Sequence, residues 1–229
     1  MRIAEPVLWA WPAATHVGMT VPKERFARRP GVGTGAREAL RDDVESILWV
    51  CKLAPGTVNV PASPGVPEIQ VFQIRARQSD VPARTLELID RAIPLPVVFE
   101  VLAPDGDSVR YAAALQSGPE TAPRHTAFFS TDWLPVETER SPLPASAGRL
   151  GDLYVRLLAP LLPVDPLPGE NAETLAARVA AFQQADREVA SLTQKMRSEK
   201  QFRRRVELRH VLQDAQTRRE KLRCPPWTR

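Results

Sequence analysis

The sequence predicts an α+β protein, a mixed or antiparallel sheet with covering helices, followed by a C-terminal helical hairpin or coiled coil. Three observations point there. Alternating apolar residues flank the turn Pro104-Asp105-Gly106, as in a β-hairpin. Between the strand-like runs lie stretches with apolar residues three and four apart. From Asn171 to Leu222 there is neither Pro nor Gly, as a long helical segment requires.

Taken in order, Ala36–Ser46 reads as a short helix after Gly31, Gly33 and Gly35. Ile47–Leu53 and Glu68–Ala76 read as strands, separated by a Pro- and Gly-rich stretch that excludes regular structure. The second carries apolar residues on both faces, Ile69 and Val71 against Phe72 and Ile74, which places it centrally in the sheet. Ala83–Ala92 has Leu86 and Ile89 at helical spacing. The hairpin follows, with Val97, Phe99 and Val101 before its turn and Val109, Tyr111, Ala113 and Leu115 after it. Phe128–Trp133 is expected as an edge strand. Pro142–Pro144 marks a boundary, and Arg149–Leu158 reads as a helix ending at a Pro-rich linker. The expected organisation is a core domain over 1–144, a helix and linker over 145–169, and a basic helical arm over 170–229.

In the arm, Leu175, Val179, Phe182, Val189, Leu192 and Met196 form a seam at coiled-coil spacing. On a straight helix Phe202 falls about 180° from Leu175, so a turn near Ser198–Lys200 is favoured over one continuous helix. Ser198 and Gln201 have capping-box spacing, a signal for a new helix start.

Composition excludes more than it assigns. The chain has 229 residues, 43% apolar and 25% charged, which rules out a fully disordered polymer. The 23 prolines predict many interrupted elements. Cys51 and Cys224 lie far apart without CxxC spacing, so a cytoplasmic location fits better than a secreted disulfide framework. The start, MRIAEPVLWAWPAATH, is a poor signal peptide, and no apolar run approaches the ~18 residues of a membrane span. No membrane partner is expected.

The net charge of +4 is unevenly spread. Residues 170–229 hold 14 basic and 8 acidic residues, so the arm carries the whole basic excess. Lys200, Arg203, Arg204, Arg205 and Arg209 are the candidate phosphate-binding residues, because arginine's planar donors fit two oxygens at once. A solvated coiled-coil face accounts for the same charges equally well.

No catalytic constellation stands out. Gly31-Val32-Gly33-Thr34-Gly35 fits neither GxGxxG nor the phosphate-loop pattern. His16, His125 and His210 lack metal-ligand spacing, so no metal and no cofactor is expected. One enzymatic alternative is a metal-dependent nuclease in which Glu68 and Gln70 join Asp42 or Asp43, with Lys52 orienting water. A carboxylate tying down the preceding loop explains Glu68 more simply.

Several phrases carry a family resemblance: TVPKERF, ILWVCKLAPGTVNVPASPGVPEIQVF, IDRAIPLPVVFEV, STDWLP and SEKQFRRRVEL, in that order. Together they resemble a bacterial family catalogued as domain of unknown function 4391, from about Trp11 to Leu222. Lys23, Trp49, Lys52, Pro55, Asn59, Glu68, Gln70, Phe72, Asp132 and Trp133 match its pattern. Arg203 and Arg209 depart from it, standing where members commonly have Asn. The resemblance implies an accessory role beside DNA methyltransferases and helicases of the type III restriction kind. The expected function is therefore a non-catalytic adaptor in an anti-phage, DNA-targeting complex. It would dock on a helicase or methyltransferase through Leu175, Val179, Phe182 and Val189, and would touch DNA non-specifically through the basic residues.

Overall fold

A computed structural model describes residues 7–28, 33–117, 124–145 and 147–223. Cys224, and Gly31 with Val32 of the glycine-rich segment, lie outside the described residues. The chain divides into two compact units, Met1–Leu161 and Leu162–Arg229.

The first unit is built on one mixed sheet. Its strands are β2 (His16–Thr20), β3 (Val44–Leu53), β4 (Ile69–Ala76), β5 (Val97–Leu102), β6 (Ser108–Ser117) and β7 (Arg124–Ser130), adjacent in that order. A short β8 (Leu134–Pro135) pairs with β6. Only β4 and β5 run parallel, because α4 (Ala83–Asp90) crosses over between them. The Pro104–Gly106 turn joins antiparallel β5 and β6, with Gly106 at a positive φ of 84°. β4 is central, as its two apolar faces require. A separate parallel pair joins β1 (Leu8–Ala10) to β9 (Arg140–Pro142).

Side-chain alternation sorts the sheet into two faces. One carries Ile47, Phe72, Ile74, Val97, Phe99 and Val101 in a buried cluster with Phe26 of α1 (Glu24–Ala27), Leu40 of α2 (Thr34–Asp43), and Leu86 and Ile89 of α4. The helix expected to run to Ser46 stops at Asp43, and β3 begins at once. Val44 and Ile47 are buried with exposed Glu45 and Ser46 between them, a spacing made possible by the register shift at the start of β3.

The two compact units divide after Leu161, beyond the Pro142–Pro144 stretch. Between that stretch and Leu161, α5 (Leu150–Leu158) belongs to the first unit. Its first N–H groups are capped by the irregular loop before β4: Leu150 N–H donates to Pro61 O at 2.8 Å and Gly151 N–H to Ser63 Oγ at 2.9 Å. A Cβ on Gly151 would stand 2.9 Å from that same oxygen, so any larger residue there would force the Ser63 side chain to shift. Tyr154 of α5 donates to Ala114 O and accepts from Gln116 N–H, both at 3.0 Å, bridging the register shift in β6. Burial pushes the Tyr154 hydroxyl pKa up, keeping it neutral.

The second unit is the helical hairpin. Asn171 caps α6 (Ala172–Ser198) by accepting from Thr174 N–H at 2.9 Å, and α7 (Phe202–Arg223) returns along it. Val189, Leu212 and Ala215 form a buried cluster flanked by Leu192 and Met196. The chain turns where expected, but not for the reason expected: Phe202 remains 78% exposed and Val206 is exposed beside it. Nor does Ser198 cap α7, since its hydroxyl bonds back to Gln194 and Lys195 carbonyls while Glu199 Oε1 accepts from Gln201 N–H at 2.8 Å. Among the described residues no helix is long and apolar enough to cross a membrane.

Candidate functional site

The residues of the enzymatic alternative are brought together only in part. Lys52 and Gln70 face each other across β3 and β4, and Glu68 sits just before β4. Glu68 Oε1 accepts from Lys52 Nζ at 3.4 Å, and its Oε2 accepts from Gln70 Nε2 at 3.1 Å. Asp43, by contrast, precedes the first residue of β3, so roughly 30 Å of strand separates it from Lys52 at ~3.3 Å per residue. It accepts a hydrogen bond from the buried Thr85 hydroxyl of α4. Asp42 pairs on the surface with Arg41 at 2.7 Å, which holds its carboxyl below the usual range. The nuclease pairing of Glu68 with Asp42 or Asp43 is therefore corrected by the strand register. Among the described residues no three His, Cys, Asp or Glu side chains are grouped to hold a metal ion.

What Lys52, Glu68 and Gln70 do form is the polar end of a cavity of about 310 Å³. Trp49 and Phe72, paired across β3 and β4 with rings stacked at 6.2 Å, line it together with Phe26 and Ile93. Gln70 is 4% exposed. With its amide nitrogen committed to Glu68, its Oε1 is buried without a hydrogen-bond partner, and so is Trp49 Nε1. Buried polar atoms left unpaired cost roughly 1–3 kcal/mol each, and the two residues that carry these atoms line the same cavity.

A second cavity of about 300 Å³ lies between the start of α4 and β6–β7. Arg110 donates to Asp80 Oδ1 at 2.7 and 3.0 Å and to Val81 O at 3.0 Å, and its guanidinium stands 5.3 Å from the centre of the Trp133 ring. Its Nε and Nη2 thereby hold the loop before α4.

On the opposite sheet face Glu100 is 2% exposed. Its Oε1 accepts from Arg140 Nη1 and Trp11 Nε1, both at 2.8 Å, and from the Tyr111 hydroxyl at 3.2 Å. Arg140 also reaches Trp9 O at 2.9 Å, and the Tyr111 hydroxyl accepts from Trp9 N–H at 2.7 Å. Burial opposes the charge on Arg140, yet Glu100 outweighs it and raises the pKa. This network holds the β1–β9 pair on the sheet. Nearby, burial pushes the Cys51 thiol up to about 12, leaving it protonated and unreactive at neutral pH. In a Cys224→Ser variant, iodoacetamide should leave the native chain unlabelled and alkylate Cys51 only after denaturation; mass spectrometry reads the difference.

In the hairpin, Leu175, Val179, Phe182 and Val189 are buried. The expected docking seam is thus closed within the folded chain, because those residues serve its own packing. Lys200, Arg203, Arg204, Arg205 and Arg209 are all exposed around the turn. The contact between Arg203 and Glu207 is long, at 3.7 Å, and both side chains are solvated, so it neutralises little.

The family model for a domain of unknown function, DUF4391, matches residues 10–218. The chain belongs to the DUF4391 family. No curated protein and no solved structure matches it. In this DUF4391 chain the phrase KLAPGTVN forms a self-capped helical turn, α3 (Pro55–Val58). Pro55 supplies its first residue, the Thr57 hydroxyl accepts from Ala54 N–H at 2.9 Å, and Asn59 ends it at φ 53°. Lys23 donates to Val44 O at 2.8 Å, fastening the segment before α1 to the start of β3. Trp49, Lys52, Glu68, Gln70 and Phe72, all among the positions that resemble the family, line the first cavity. Sequence reasoning missed the unpaired atoms there and the Glu100–Arg140 network. A lone Glu within the apolar run Val97–Leu102 was the available signal for the latter.

Proposed function

We propose that this DUF4391 protein is an accessory, non-catalytic subunit of a DNA-targeting defence complex. It joins a helicase or methyltransferase subunit, and its hairpin tip meets nucleic acid through phosphate contacts. The observation that carries this reading is the tip itself. Lys200, Arg203, Arg204, Arg205 and Arg209 fall within ten residues at the turn and the start of α7, all exposed, beside a Phe202 that is itself bare. A cationic turn with an exposed aromatic ring suits a polyanion with stackable bases. Docking on a protein subunit falls to Val206 and Val211, exposed apolar side chains further along α7, since the α6 seam is already buried. The separation of Asp43 from Glu68 favours a binding role over a hydrolytic one.

Salt dependence tests the tip. If it neutralises about four phosphates, the log–log slope of duplex affinity against salt should be about −3.6, at roughly −0.9 per contact. Fluorescence anisotropy at two salt concentrations measures that slope. Replacing Arg203, Arg204 and Arg205 with Glu should flatten it. An unchanged slope in the triple variant removes the DNA contact. Loss of a co-purifying helicase or methyltransferase with duplex affinity unmoved reassigns the arginines to the protein partner.

A further inference from the structure

The geometry points to a nucleobase-binding pocket in the first cavity, where Trp49 and Gln70 hold the polar edge of a nucleotide's base and Lys52 with Arg25 faces its phosphate. The cavity's volume of about 310 Å³ lies at the lower end of the ~300–1,000 Å³ typical of small-molecule sites. Its walls are largely aromatic and aliphatic, with the near-parallel Trp49 and Phe72 rings on the sheet side. A flat ring fills such a space with the least loss of side-chain freedom.

The two unpaired atoms narrow the chemistry. Gln70 Oε1 can only accept, because Glu68 fixes which end of the amide is nitrogen. Trp49 Nε1–H can only donate. The missing partner thus carries a donor and an acceptor, and every nucleobase presents such a pair along its polar edge. A leucine or phenyl side chain from a partner protein would leave both atoms unpaired. An amide side chain would satisfy them but leave the aromatic walls empty. At the mouth, Lys52 and the exposed Arg25 outweigh Glu68, which favours an anionic end on the ligand. Both orphan atoms are buried in the unliganded chain, so pairing them with a base requires a side-chain shift.

The base can come from a free nucleotide or from single-stranded nucleic acid, and the test separates them. Calorimetric titration of the full chain with adenosine monophosphate is compared with ribose 5-phosphate, and a short single strand with the same strand bearing one abasic position. Expected is binding by one of the two base-containing ligands that is at least tenfold tighter than its base-free control. Trp49→Phe keeps the ring and deletes the N–H, and Gln70→Leu keeps the volume and deletes the acceptor. Each should lower that affinity at least tenfold while the melting temperature moves by only a few degrees. Should a variant fail to fold, photolabelling of the unaltered chain with 8-azidoadenosine monophosphate, or with a strand carrying that base, replaces it. The label must then fall on peptides containing Trp49, Gln70 or Ile93. The inference is overturned if neither ligand shows base-dependent binding, if both variants bind as the parent does, or if the label falls only elsewhere. Because Trp49→Phe and Gln70→Leu leave the hairpin tip untouched, their effect stands apart from the salt-slope experiment on the tip arginines.

Discussion

Replacing Arg140 with Ala should destabilise the first unit by about 3 kcal/mol, the low end of the ~3–5 kcal/mol for breaking a buried ion pair. Glu100 is almost sealed from water and Arg140 is about a third exposed, so removing the guanidinium strands a buried carboxylate while water reaches only part of the gap. The Tyr111 and Trp11 donors would remain, which keeps the loss from being larger. Neutralising the stranded group as well, in Arg140→Ala with Glu100→Gln, should restore part of the stability. Because the chain holds two units, a single melting curve mixes their unfolding. Amide exchange of β5 and β6 is the cleaner measurement. A loss below about 1 kcal/mol would mean that the pair behaves like a surface salt bridge.

The hairpin should respond as strongly to Arg178. Its guanidinium donates to both oxygens of Glu170, at 2.9 and 2.6 Å, and to the carbonyls of Leu222 and Asp165, each at 2.7 Å. It thereby ties the last turn of α7 to α6 and to the segment before it. Both partners of the ion pair are nearly buried, at 11% and 7%. Arg178→Met should loosen α7, at a cost of about 3 kcal/mol to this unit, and expose its arginines to trypsin. Arg178→Lys should recover little, since one ammonium cannot span four acceptors. The pH dependence has a definite sign. Burial pushes the Glu170 carboxyl up, but Arg178 and the Leu167 N–H outweigh it and hold its pKa below the ordinary 4.5. Its stabilisation is complete above that unfolded value and is lost as pH falls through the lowered folded value. In Arg178→Met burial is opposed only by the Leu167 bond, so the variant, weaker than the parent near neutral pH, should lose less of its remaining stability than the parent does as pH falls through 4.5. Helical circular dichroism between pH 6 and pH 3 follows both.

Much of this architecture was legible in the chain. Period-two runs with a Pro-Asp-Gly turn specify β5 and β6, two-sided burial specifies the central β4, and 52 residues without a helix breaker specify the hairpin's length. These are local properties, so neighbours in sequence suffice to read them. The clustering of charge in residues 170–229 is equally a property of sequence alone. What lies between distant residues was not legible. β1 and β9 are three-residue strands with no period to detect, and they pair across 132 positions. The assignment of α5 to the first unit depends on capping by Pro61 and Ser63, far upstream. The docking seam on α6 was read from spacing, but spacing cannot distinguish a face that awaits a partner from one already packed. At the candidate site the sequence supplied Lys52, Glu68 and Gln70 as a polar group and wrongly offered Asp43 to complete it. Strand register decided otherwise, because an extended chain of nine residues carries its two ends apart while bringing Lys52 opposite Gln70. Hydrogen-bond satisfaction is a property of atoms in space. That is why only the tertiary structure could single out Trp49 and Gln70, whose unpaired groups no pattern of residue types records.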